Sequence, residues 1–119
     1  MIRVSQKAEF YAQVAAEQMA IWPVATGISF ISRREHHDWG IALHIDSRTL
    51  QPQQLRGALE RRFTQSHLFP DYFLFLDSQR DFVVWHAAPD DGQGNASLDN
   101  IRQQQLLLAG LDYLADTGR

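Results

Sequence analysis

The side chains that invite chemistry are five histidines. His36 and His37 stand beside Asp38, and His44 follows on the next apolar stretch. Histidine with a carboxylate can bind zinc or activate water. Neighbouring residues in a tight connection point in different directions, however, and the spacing matches no HExxH or related zinc motif. His36, His37 and Asp38 therefore read as a solvated hairpin connection, and His44 as a surface or interface residue. His86 follows Trp85 and lies near Asp90 and Asp91 in sequence, a pairing that could act as an acid–base dyad. Ser78 and Ser97 look like turn and cap residues, and no GxSxG nucleophile context is present. Gly92-Gln93-Gly94 resembles a fragment of a phosphate loop but lacks the further glycine or the Lys-Ser/Thr that such loops require. With no cysteine, thiolate metal sites, disulfides and cysteine nucleophiles are excluded. The sequence predicts no catalytic, metal or cofactor site. The alternative is a small enzyme using His86 or His44 with a nearby Asp.

The elements that would position these residues centre on Asp71–Ala88, DYFLFLDSQRDFVVWHAA. Tyr72–Leu76 and Phe82–Ala88 are rich in aromatic and β-branched residues, and Asp77–Asp81 is a plausible hairpin loop. Neither run alternates cleanly, which predicts that both faces of this hairpin pack on something. Upstream, residues 4–22 read as a first helix with Tyr11, Val14, Ala15, Met19 and Trp22 on one stripe, ended by Pro23. Gly27–Arg33 and the alternating Trp39–Asp46 make a first hairpin. A second helix starts at Pro52 behind Gln51, with Leu55, Ala58, Leu59 and Phe63 as its buried stripe and Arg56, Glu60 and Arg61 facing water. After a loop at 89–96, Ser97 caps a third helix whose Leu107, Leu111 and Leu114 are expected to face the sheet. The expected fold is α+β, a two-layer α/β sandwich in the order helix–two strands–helix–two strands–helix, with an antiparallel sheet of four or five strands. It forms one domain over residues 1–119.

Composition narrows the function. The chain has 119 residues, 45% hydrophobic content and a formal charge of −3, so a globular core is within reach and disorder is not expected. Residues 1–70 hold eight basic against six acidic residues, and residues 71–119 three against eight, which together give the −3. No concentrated basic face exists for nucleic acid, and no apolar run is long enough to span a bilayer. A cytoplasmic protein is the expectation. Ten of the eleven basic residues are Arg, the side chain that suits interfaces.

The segments FYAQVAAEQMAIW, WGIALHID, LRGALERRF, YFLFL with FVVWHAA, and SLDNIRQQQLLLAGLDYL stand in an order that resembles the class I chaperones of bacterial type III secretion systems. The likeness covers nearly the whole chain. It departs in the first strand group, where the family has three strands and the sequence shows two. That departure leaves room for a divergent member such as the small chaperone-like regulators of Hrp secretion clusters. The resemblance implies ATP-independent binding of a secreted effector or a regulatory protein, through a homodimer or a heterodimer with a similar small protein. In that family the dimer is built on the second helix and later strands. The surplus of apolar strand and helix surface nominates Phe73, Phe75, Phe82, Val84, Trp85 and Leu106 as protein-binding residues, with Arg61 and Arg62 supplying charge at the rim. A structural subunit of a secretion assembly is a further alternative.

Overall fold

In a computed structural model, described here for residues 1–89 and 94–114, the chain forms a six-stranded sheet with three helices on one face. The strands are β1 (Ile2–Arg3), β2 (Ala20–Ala25), β3 (Ile28–Glu35), β4 (Asp38–Ile45), β5 (Phe73–Leu76) and β6 (Phe82–Ala87). The helices are α1 (Lys7–Ala15), α2 (Pro52–Thr64) and α3 (Gly94–Leu108). The sheet order is β1-β2-β3-β4-β6-β5, antiparallel throughout except for the short β1–β2 pair. The α+β class and the helix-strand alternation match the sequence reading; two strands were not foreseen.

The second of these, β2, corrects the N-terminal helix. Residues 4–22 do not form one helix: α1 ends at Ala15, Glu17 takes a left-handed φ of 54°, and Ala20–Ala25 is a strand. Ala20 and Trp22 face inward at strand spacing, and Ile21 faces the other side. Pro23 is accommodated because Ile21 turns its carbonyl to the Val4 amide, so position 23 likewise turns its amide side toward β1, whose pairing ends at Arg3. β2, β3 and β4 thus make the three-strand group that the sequence reading counted as two. The β3–β4 turn is His36-His37 between the paired Glu35 and Asp38, with His36 at φ 55°. Both histidines are exposed there.

Sheet alternation sorts the core. Phe30, Leu43, Ile45, Phe82 and Val84 face the helices and meet Phe10, Tyr11 and Val14 of α1 and Leu98, Ile101 and Leu108 of α3. The inward stripe of α3 also carries two polar residues. Gln105 is fully buried and donates its Nε2 to the carbonyls of Ile41 and Val84 at 2.8 and 2.9 Å. Arg102, 3% exposed, donates its Nε to the Tyr11 hydroxyl at 2.8 Å and lies 5.1–5.8 Å from the ring centres of Tyr11, Trp22 and Phe30. The Tyr11 hydroxyl in turn donates to Asp99. Burial pushes the Tyr11 phenol well above its ordinary range. Burial also pushes the Asp99 carboxyl up, but the Tyr11 hydroxyl, Lys7 and Arg102 outweigh it and hold the group below its usual value.

The end of α3 corrects the leucine assignment. Gly110 takes φ 74°, its N–H bonds the Leu107 carbonyl at 3.1 Å, and the Leu111 N–H bonds the Leu106 carbonyl at 2.8 Å. This is a Schellman cap, whose hydrophobic contact between the residue after the glycine and the helix's last turn explains why both Leu106 and Leu111 are buried. Leu107, expected against the sheet, is 41% exposed because it lies off the stripe set by Leu98, Ile101, Arg102 and Gln105. Leu111→Ala is expected to lower stability by roughly 2–5 kcal/mol, the range for a buried leucine. Urea unfolding checks it; a loss under about 0.5 kcal/mol, the surface range, would place Leu111 outside the core.

Candidate functional site

α2 begins as the sequence predicts. Pro52 occupies the first turn and Gln51 with Gln54 forms a reciprocal capping box. Three side chains then tie the helix down. Gln54 Nε2 donates to the Ala109 carbonyl at 3.0 Å, Arg61 donates to the Leu108 carbonyl at 2.9 and 3.2 Å, and Arg62 Nε donates to the Tyr72 carbonyl at 3.0 Å. Arg61 thereby satisfies a carbonyl at the end of α3 that the helix itself leaves open. At 100° per residue, Gln54, Ala58 and Arg61 share the inner side, which leaves Leu59 and Phe63 on the outer one. Leu59 is 50% exposed and Phe63 85% exposed, against the expectation that both are buried. Ala58 is the only α2 residue of the predicted stripe that is fully buried, and Leu55 is half-buried. Leu68, in the 3₁₀ turn Ser66–Leu68 that follows, is 48% exposed.

The second hairpin stands at one edge of the sheet. β6 is internal, between β4 and β5; among the described residues β5 pairs with β6 alone, so its outer backbone edge has no strand partner there. Phe73 and Leu76 on β5 are about half exposed, and Phe75 is half-buried. The opposite, helix-free face of the sheet is not bare. Trp85, 3% exposed, lays its indole across Gly40 of β4 and donates its Nε1 to the Arg33 carbonyl of β3 at 3.4 Å. It forms a second small cluster with Ile31, Ala42 and Val83, flanked by Ile21, Phe75 and Ala87. This small cluster therefore covers part of the face that the strand pattern reserved for a second chain.

The residues nominated from sequence separate accordingly. Phe82, Val84 and Leu106 lie in the chain's own core, so as folded they present no surface to a partner. Arg61 and Arg62 are engaged with carbonyls of their own chain, and Trp85 is buried in the small cluster on the helix-free face. Phe73 and, in part, Phe75 remain accessible. Sequence reasoning missed Leu59, Phe63 and Leu68 as accessible residues, because helical spacing shows that Leu59 and Phe63 share a stripe but not whether a neighbour covers it.

The histidines separate too. His86 packs its ring against Tyr72, 4.3 Å between centres, and its Nδ1 lies 2.6 Å from the Ala87 carbonyl. Asp90 and Asp91, the partners proposed for it, lie outside the described residues, as do Gly92 and Gln93. Tyr72 is buried, which pushes its phenol up to about 12. His44 does meet carboxylates: its Nε2 lies 3.4 Å from Asp77 Oδ2 and 3.1 Å from Asp81 Oδ2, at the two ends of the β5–β6 loop. Burial pushes the Asp77 carboxyl up, but the amides of Asp81 and Gln79 and the His44 ring bring it below its ordinary value.

Among the described residues no helix is long and apolar enough to cross a membrane. A family model described as HrpV-like matches residues 1–114. No curated protein and no solved structure shows a significant match.

Proposed function

Since the chain belongs to the HrpV-like family, a Hrp family associated with type III secretion, we propose that it is a non-catalytic protein-binding module of that system. It acts in the cytoplasm as a chaperone-like regulator, holding a regulatory protein or a secreted client without ATP. It works as a dimer, with itself or with a similar small protein. The observation that carries this reading is the outer stripe of α2, Leu59 and Phe63, supported by Leu68 and by the open β5 edge with Phe73 and Leu76. A phenylalanine 85% exposed gains nothing for the fold of its own chain, and large aromatic anchors of this kind dominate protein interfaces.

Phe63→Asp tests it. The substitution is expected to leave unfolding stability within about 0.5 kcal/mol, since the site is exposed. It is expected to weaken association with the partner by at least about tenfold, as loss of a hot-spot aromatic does. Binding is measured by titration calorimetry with co-expressed regulatory and secreted proteins encoded beside it. Equal affinity for wild type and variant would remove α2 from the interface.

A further inference from the structure

His44 sits on the helix-free face of β4, opposite Ser29 of β3 and Val83 of β6. Asp77 and Asp81 end the neighbouring loop. Each carboxylate spends one oxygen on the backbone: Asp77 Oδ1 accepts from the amides of Gln79 and Asp81 at 2.9 and 3.0 Å, and Asp81 Oδ1 accepts from the Ser47 amide at 2.7 Å. That leaves both Oδ2 atoms aimed at one imidazole nitrogen. A neutral ring offers one proton there, and two carboxylates compete for it. The separations of 3.1 and 3.4 Å exceed the length of about 2.7–2.9 Å for a charge-assisted hydrogen bond. The 3.4 Å separation falls on the edge of a tetrahedron, about 3.3–3.6 Å, around an ion bound at about 2.0–2.2 Å, and the 3.1 Å separation lies just below it. The three donors lie within 4.8 Å of one another, and the side chains are 22%, 21% and 9% exposed.

We propose that His44 Nε2, Asp77 Oδ2 and Asp81 Oδ2 form a site for one divalent first-row transition ion, with its fourth position open to water. The donor set is one imidazole and two carboxylates, borderline to hard, which suits zinc or manganese better than calcium. The backbone amides on the Oδ1 atoms do the orienting work that outer hydrogen bonds do in metal sites. A bound ion clamps the β5–β6 loop onto β4, beside the exposed edge strand. The site stands independently of the binding function proposed above, and its spacing along the chain conceals it, because the loop meets β4 only through the sheet order.

Zinc chloride, manganese chloride and calcium chloride are each titrated by calorimetry into the full chain at neutral pH. Saturable one-to-one binding of zinc or manganese, with none of calcium, is expected, together with a rise in Tm on adding the ion. His44→Gln and Asp77→Asn are each expected to weaken binding at least about tenfold. Asp77→Asn serves as the second variant should His44→Gln fail to keep the wild-type circular dichroism spectrum. Failure of the wild type to saturate with zinc or manganese, or unchanged affinity in a folded variant, would overturn the proposal and leave the cluster as a charge contact holding the loop.

Discussion

Gly40→Ala is expected to destabilise the chain by about 3–5 kcal/mol, although it adds one methyl group. A Cβ at position 40 would stand 2.4 Å from the His86 carbonyl oxygen and 2.5–2.6 Å from two carbons of the Trp85 ring. Neither neighbour is a flexible side-chain end. The carbonyl belongs to the adjacent strand of the ladder, and the ring is held by its bond to Arg33. Overpacking of this kind costs about 1–3 kcal/mol. Displacing the indole from its buried site adds about 1.5–3 kcal/mol of lost apolar burial. Tm should fall by roughly 10–20 °C for a domain of this size, and tryptophan emission should shift to the red as the roof over Ile31, Ala42 and Val83 lifts. Unchanged stability would mean that Trp85 does not lie across Gly40.

Arg102→Ala is expected to cost about 3–5 kcal/mol, and Arg102→Met clearly less. The guanidinium is the connection between α3, α1 and the sheet: it bonds Tyr11, lies 3.6 Å from Asp99, and is enclosed by three aromatic rings. Truncation leaves a cavity among those rings and removes the charge that faces Tyr11 and Asp99. Methionine restores most of the volume, and replacing a buried charge by an apolar group of similar size is often mild. Denaturant unfolding of both variants separates the two contributions. An alanine variant within about 1 kcal/mol of wild type would show that Arg102 is not part of the core.

Much of the fold was legible in the residues. The alternation of Trp39–Asp46 located β4 within a residue, and Pro52 behind Gln51 located the start of α2. β2 was hidden because Met19 and Trp22 happen to fall on the helical stripe of α1, and Pro23 reads equally well as a helix stop and as a strand residue at the end of a ladder. Ile21-Trp22-Pro23-Val24 carried the counter-signal in its aromatic and β-branched content. Leu107 was misplaced because two inward positions of α3 are Arg102 and Gln105, so that a leucine off the stripe was read onto it, whereas Leu111 is buried as expected. The accessible surface was the least legible part. Whether Phe63 or Phe82 is covered depends on which neighbours tertiary packing brings, and local pattern does not contain that. The pairing of His44 with Asp77 and Asp81 was illegible for the same reason, since it depends on β6 lying next to β4.

The claim at the centre of this account is that the chain associates through the outer stripe of α2 and the β5 edge. Sedimentation over a wide concentration range, with the chain alone and mixed with the products of its neighbouring genes, tests that claim most directly. The account predicts a dimer or a defined heteromer for the wild type, and dissociation for Phe63→Asp at unchanged stability. A wild-type chain that sediments as a monomer at every concentration and binds none of those proteins would contradict it.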